Sequence, residues 1–239
     1  MKAIILAAGK GERIRDLVSG LPKPMIAIDG KPILQQNIEW LARSGVTDLY
    51  VNLHHLPDRV TRHFGDGDRF GVQIHYSYEP ELLGTAGAVR KILTETPTSG
   101  GWEDFLVVYG DNQLTNFNLK ELMRFHADHK SFGTVSLFYE KDVLQSGIAV
   151  LDQQQRIVDF IEKPRPAQVV SHWVNAGIYI LSPQMLDYIP EGFSDFGHDV
   201  FPAVLAADEC LMGWVSHATL TAIDTPELLA QAHEKGVLK

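Results

Sequence analysis

The sequence predicts an α/β protein built on a doubly wound, mostly parallel sheet. Two observations carry this. Short apolar runs alternate with amphipathic, helix-like stretches as far as Tyr139. The first run, Met1 to Ala8, empties directly into Gly9 and Gly11, with Lys10 and Arg13 beside them. A strand that ends in a glycine-rich basic turn is how such a sheet builds a phosphate cradle. Glycines let backbone N–H groups approach phosphate oxygens, and the cations balance the charge. The turn matches neither G-x-x-x-x-G-K-[ST] nor G-x-G-x-x-G, so the usual ATPase and dinucleotide fingerprints do not apply.

The elements follow in order. Lys2–Leu6 is a strand. Pro32–Ser44 places Ile33, Leu34, Ile38 and Leu41 at helical spacing and stops at Gly45. Asp48–Leu53 is an apolar strand, Pro57–Phe64 a short helix, and Gln73–Tyr78 an alternating strand. Ala86–Thr94 reads as a helix just after Gly84-Thr85. Phe105–Tyr109 is a buried strand ending at Gly110-Asp111, Leu119–Lys130 an amphipathic helix, and Gly133–Tyr139 a strand. In the second half Gly147–Leu151, Ile157–Glu162 and Val174–Leu181 are strands joined by tight polar turns, a hairpin-rich region. Helices are expected from Ser182-Pro183, over Asp199–Ala206, and from Thr225-Pro226, where threonine caps and proline suits the first turn. In open sheets of this class ligands bind beyond the carboxyl ends of the strands, so the Gly9–Arg13 turn and Gly110-Asp111 are expected at one crevice.

The 239 residues suffice for one large domain. Hydrophobic residues make up 45 % and charged residues 21 %, as in a soluble globule. No apolar run is long enough to span a bilayer, and the N-terminus does not read as a signal peptide. A formal net charge of −9 argues against a general nucleic-acid surface but not against an anionic small substrate. Cys210 is the only cysteine, which fits a reducing cytoplasm. The histidines show no metal-binding spacing, and His126 and His129 fit the exposed face of an amphipathic helix.

Leu6-Ala7-Ala8-Gly9-Lys10-Gly11-Glu12-Arg13 followed by Pro22-Lys23-Pro24-Met25 resembles the opening of the sugar-1-phosphate nucleotidyltransferases. Later segments resemble the same family: Gly110-Asp111, Glu162-Lys163-Pro164 and Asn175-Ala176-Gly177, in that order. The resemblance runs from Met1 to about Gln231 and is greatest to the mannose-1-phosphate guanylyltransferases and short single-domain members. It implies a Rossmann-like, mostly parallel mixed sheet with a small β-rich sugar-binding lobe. Residues 1–140 would mainly bind nucleotide, and 141–239 mainly sugar phosphate. It implies transfer of a nucleoside monophosphate from an NTP to a sugar 1-phosphate, with Mg²⁺ as cofactor, no nucleic-acid or membrane partner, and room for a homo-oligomer.

The resemblance also assigns roles. Arg13 would meet the leaving phosphates, with Lys10 as a helper, and Lys23 would meet the α-phosphate. Leu6, Ala8, Gly9, Gly11, Gly84 and Thr85 would hold the nucleotide, and Asp111 the metal. Asn112, Gly147, Glu162, Lys163 and Asn175 would hold the sugar phosphate. Glu79 lies where thymidylyl and some uridylyl members place a base-reading glutamine. A carboxylate only accepts, and guanine offers adjacent N1–H and N2–H₂ donors, whereas uracil offers one N–H between two acceptors; this favours GTP. The alternatives are a uridylyltransferase using N-acetylmuramate 1-phosphate or glucose 1-phosphate, and a non-catalytic nucleotide-sugar-binding subunit. One departure favours the last: where the family's D-x-G-T-P-E supplies a second metal ligand, this chain has Ala222, with Asp224 two residues on as a substitute candidate.

Overall fold

The first strand is short because its sequence turns to small residues after Leu6. In the computed structural model, which describes residues 1–9, 20–96, 101–216 and 218–222, β1 is Ala3–Leu6. Two two-residue strands, β2 (Ala27–Ile28) and β3 (Lys31–Pro32), form a small hairpin that leads into α1 (Ile33–Arg43). Then come β4 (Asp48–Leu53), α2 (Pro57–Phe64), β5 (Gln73–Tyr78), α3 (Gly84–Glu95), β6 (Phe105–Tyr109) and β7 (Asn112–Thr115). Next are α4 (Leu119–His129), β8 (Gly133–Tyr139), β9 (Gly147–Leu151), β10 (Ile157–Glu162) and β11 (Trp173–Leu181). The last elements are α5 (Phe201–Ala206), β12 (Leu211–Val215) and β13 (Thr219–Ala222). The α/β class and the mixed, mostly parallel sheet agree with expectation.

The chain forms two compact units. Among the described residues the first comprises 1–9, 20–82, 108–115 and 219–222, the second 83–96, 101–107, 116–216 and 218. In the first unit β4 pairs in parallel with β1 (Ala3 opposite Leu49, Leu6 opposite Asn52) and with β5 (Asp48 opposite Gln73, Leu53 opposite Tyr78). Residues 3–5 and 49–53 are buried, as strands covered on both faces require. The apolar face of α1 (Ile33, Leu34, Ile38, Leu41) is fully buried, each side chain contributing about 1.5–3 kcal/mol. An antiparallel ladder of β7 with β13 places Ala222 opposite Asn112.

In the second unit β9 pairs antiparallel with β10 and β11, β8 antiparallel with β11, and β12 parallel with β8. Its core is aromatic: Tyr179 meets Phe196 and Phe201 edge-on, and Phe160 meets Phe201 the same way. The residue run of β6 crosses from the second unit into the first after Val107.

Three departures have physical causes. The expected helix over Asp199–Ala206 is split into a π-helical turn, Phe196–Val200, and α5, because Pro202 brings no N–H to the first turn of α5. The helix after Ser182-Pro183 is a 3₁₀ segment, Pro183–Tyr188, whose first turn is capped by Ser182 Oγ accepting from Gln184 N. His126 is not on an exposed face: it is 5 % exposed, with Nδ1 2.8 Å from Thr134 Oγ1 and Nε2 3.2 Å from Asp104 Oδ2. A buried imidazole with a polar partner at each nitrogen is a satisfied core residue, joining α4 to β8.

Candidate active site

Lys23 reaches its position because two prolines stiffen the chain around it. Lys23–Met25 is a single 3₁₀ turn closed by Met25 N to Pro22 O (2.8 Å) and Ile26 N to Lys23 O (3.1 Å). The lysine is only 6 % exposed, so this is not a surface turn with a solvated cation. Its Nζ forms an ion pair and hydrogen bond with Asp111 Oδ2. Asp111 follows the end of β6, and its side chain is 27 % exposed, partly open to solvent.

The turn before Asp111 lies against the end of β1. Gly110 N donates to Leu6 O at 2.9 Å, and a Cβ on Gly110 would lie 3.0 Å from that oxygen and from Ile5. From α1, the buried Asn37 donates to Gly110 O at 3.3 Å. The end of β1 therefore meets Gly110; of the Gly9–Arg13 turn expected at the same crevice, only Gly9 is among the described residues. Ala7 and Ala8 are buried there and Gly9 is exposed. Lys10, Gly11, Arg13 and Asp224 lie outside the described residues.

A second network fixes the same strand end. Ala7 N donates to Asn52 Oδ1 at 2.6 Å, and Asn52 Nδ2 donates to Glu79 Oε1 at 2.8 Å. His54 Nδ1 lies 2.8 Å from the Glu79 carbonyl oxygen. Glu79 is 0 % exposed, held at the end of β5. Asn37 and Asn52 are positioning residues that the motif reading passes over. Each has a signal in sequence: an asparagine inside an otherwise apolar helix face or buried strand, where an unpaired amide costs about 1–3 kcal/mol.

Asn112, at the start of β7, is buried in the first unit, and the second unit carries the other sugar-phosphate candidates together with Gly84 and Thr85. Glu162 ends β10 opposite Gly147 in the ladder, and Lys163 follows with φ 46°, its N–H bonded to Ser146 O at 3.1 Å. The carboxylate of Glu162 is crowded by glycines: a Cβ on Gly147 would come within 2.6 Å of Oε2, and one on Gly197 within 2.4 Å. Asn175 Oδ1 accepts from Gly177 N at 2.9 Å and its Nδ2 donates to Tyr179 Oη at 2.7 Å. Gly177 has φ 67°, at the register shift between Asn175 and Tyr179, so Asn-Ala-Gly here also builds a β-bulge.

Gly84 has φ 75° and opens α3, and a Cβ on it would collide with Ser194 O at 2.4 Å. Thr85 is not simply a small residue beside a ligand. Its N–H and hydroxyl both donate to Asp195 Oδ1, at 3.0 and 2.9 Å.

The electrostatics around Glu162 yield a measurable expectation. Burial lifts its carboxyl above the usual range; Lys163 opposes this and Asp195 adds to it. The folded protein thus binds this proton more tightly than the unfolded chain. The associated stability is present below the unfolded pKa of about 4.3 and is lost as pH rises through the folded value. Glu162→Gln is expected to raise the melting temperature near neutral pH and to leave it unchanged at about pH 4. Equal shifts at both pH values would contradict this account.

As a metal site, Asp111 offers one partly exposed carboxylate, and no group of three or more His, Cys, Asp or Glu side chains gathers among the described residues. That donor set suits magnesium, which takes one or two carboxylates and completes its shell with water and substrate phosphates.

Comparison with known proteins gives the family of the chain. Residues 2–218 match the family model described as nucleotidyl transferase. The chain is 36 % identical over 217 residues to a UTP–glucose-1-phosphate uridylyltransferase from Synechocystis, covering 86 % of this chain and 55 % of the relative. It is 34 % identical over 209 residues to mannose-1-phosphate guanyltransferase beta-A from Xenopus laevis, covering 85 % and 56 %. It thus spans about half the length of these relatives. Among solved structures, HddC from Yersinia pseudotuberculosis complexed with GMP-PN superposes with a TM-score of 0.79 at 26 % identity, covering 98 % of both chains. With its Gly-Asp strand end, its proline-framed lysine and a family match over nearly its whole length, the chain belongs to the nucleotidyl transferase family.

Proposed function

We propose that this protein transfers a nucleoside monophosphate from an NTP, GTP being favoured, to a sugar 1-phosphate such as mannose 1-phosphate, forming an NDP-sugar and releasing pyrophosphate. The observation that carries the reading is the buried Lys23 paired with Asp111 beside the end of β1. In the reaction an oxygen of the sugar phosphate forms a bond to the α-phosphorus, and the bond to the pyrophosphate oxygen breaks. Both reactants are anions, so catalysis consists of alignment and charge compensation, without a covalent enzyme intermediate. Lys23 compensates charge at the α-phosphate. Asp111 would hold Mg²⁺, which when bound supplies positive charge to the phosphate oxygens. Glu162, Lys163 and Asn175 would hold the sugar phosphate.

The preference for GTP is supported by the likeness to the HddC complex with GMP-PN and to the guanyltransferase; Glu79 is fully buried and bonded to Asn52, and it carries no part of that preference. The Synechocystis relative favours a second reading, UTP with glucose 1-phosphate. Pyrophosphate release across a panel of four NTPs and several sugar 1-phosphates separates the two. On the first reading GTP with mannose 1-phosphate is among the most active pairs. Turnover with UTP and none with GTP would reverse the assignment of the base. Tight nucleotide binding without pyrophosphate release at any magnesium concentration would support the non-catalytic reading, which Ala222 opposite Asn112 favours.

A further inference from the structure

The first turn of α3 is capped by a distant segment of the chain. Its N-cap residue, Leu83, makes no side-chain cap. The donors of the turn go elsewhere: Thr85 N to Asp195 Oδ1, and Ala86 N and Gly87 N to Ser194 O at 2.9 and 3.2 Å. The contact is reciprocal. Ser194 N donates to Leu83 O at 2.9 Å, and Phe196 N donates to Thr85 Oγ1 at 3.0 Å. Five hydrogen bonds of backbone groups, with the Thr85 hydroxyl to Asp195 as a sixth, tie residues 83–87 to residues 194–196.

The same segment continues to the wall around Glu162. Asp195 N donates to Asp199 Oδ2 at 2.8 Å, and Asp195 O accepts from Asp199 N at 2.9 Å and from Val200 N at 3.3 Å, closing the π-helical turn. Gly197, within that turn, lies so close to Glu162 that a Cβ would sit 2.4 Å from its carboxylate. Phe196, next to Asp195, packs into the aromatic core against Tyr179 and Phe201. The segment is therefore anchored at both ends and in the middle.

We propose that Asp195 is a positioning residue that couples the nucleoside-binding turn at Gly84-Thr85 to the sugar-binding wall at Glu162. This rests on the assignment of those two sites under the proposed function. Asp195 Oδ1 holds the backbone and hydroxyl of Thr85 in one orientation, which fixes the path of the chain at Gly84, while Asp195 N and O hold the turn that abuts Glu162. At Thr85 Asp195 acts through its acceptor oxygen, since both groups it accepts from there are neutral.

The test measures nucleotide affinity by titration calorimetry, with KM for NTP and for sugar 1-phosphate, kcat and melting temperature alongside. Asp195→Ala is expected to weaken nucleotide binding about tenfold and to raise both KM values, while Asp195→Asn, which keeps the acceptor oxygen, stays within about threefold of the parent. Thr85→Val, which removes only the hydroxyl, moves affinity in the same direction by a smaller factor and carries the test if Asp195→Ala does not fold. A lower melting temperature with unchanged affinity in both Asp195→Ala and Thr85→Val overturns the proposal and leaves a structural brace. Loss of affinity in Asp195→Asn equal to that in Asp195→Ala overturns the acceptor argument. A parent protein that binds no nucleotide refutes the functional reading itself, and the proposal falls with it.

Discussion

Lys23→Ala is expected to lower kcat by a factor of about 100 to 1000, the range found when one preorganised charge donor is removed from a developing oxyanion. The expectation follows from where the lysine is held. Its side chain is 7 % exposed, and its turn is fixed by prolines on both sides and by two backbone hydrogen bonds, so the charge arrives without reorganisation. The structural cost should be smaller than the catalytic one. Asp111 loses its partner but remains 27 % exposed, so water can solvate the carboxylate; we expect a stability loss of roughly 1–3 kcal/mol, below that of a fully buried pair. Lys23→Arg should not restore the rate, because a planar fork on a longer stem cannot occupy the volume of a compact ammonium in a buried turn. Pyrophosphate release at saturating substrates, with circular dichroism as the folding control, measures both quantities. Turnover within threefold of the parent would remove Lys23 from the chemistry.

Much of the fold is legible in the sequence because its signals are local. Asp48–Leu53, Gln73–Tyr78, Phe105–Tyr109 and Gly133–Tyr139 are bounded where the apolar patterning stops, and the strands have those bounds. The strands that local patterning misses are the two-residue β2 and β3, and β7, β12 and β13. β7 begins right after Asp111, where Gly-Asp-Asn reads as a turn, and its partner β13 lies more than 100 residues away. In β12 the apolar pattern, though not the strand, is broken by Gly213, whose missing side chain makes room for Leu137 and Leu151. Pairing of this kind depends on neighbours that no short window contains. The site shows the same division. Lys23 and Asp111 are visible as motifs, yet their direct pairing, and the roles of Asn37, Asn52 and Asp195, depend on contacts between distant segments. Gly84 and Asn175 show a further limit: their residue types are required by a positive φ with a close carbonyl and by a β-bulge, whatever they bind. A motif can therefore mark backbone geometry and ligand contact together, and sequence does not separate the two.

Asp111→Asn is expected to reduce turnover at least as far as Lys23→Ala, and the combination of the two distinguishes chemistry from bracing. Asparagine preserves the shape and one acceptor oxygen at the end of β6, so the turn at Gly110 should persist, with its bonds to Leu6 and Asn37. What disappears is the negative charge, which would both balance Lys23 and hold a divalent cation. The single variant removes the carboxylate with which the buried ammonium pairs; the double variant Lys23→Ala, Asp111→Asn leaves neither charge. If the pair were only a structural brace, the double variant would recover stability and a good part of the rate, since removing both partners of an ion pair is far less costly than removing one. If each group meets substrate, stability returns and activity does not: the double variant melts closer to the parent than Asp111→Asn does, yet turns over no faster than the slower single variant. Raising magnesium separates the two charges further. Lys23→Ala retains Asp111 and should keep a saturable magnesium response, whereas Asp111→Asn should need a higher concentration, by about tenfold or more, to reach its residual rate. A magnesium dependence identical in the parent and Asp111→Asn would place the cation elsewhere and leave Asp111 as the partner that orients Lys23.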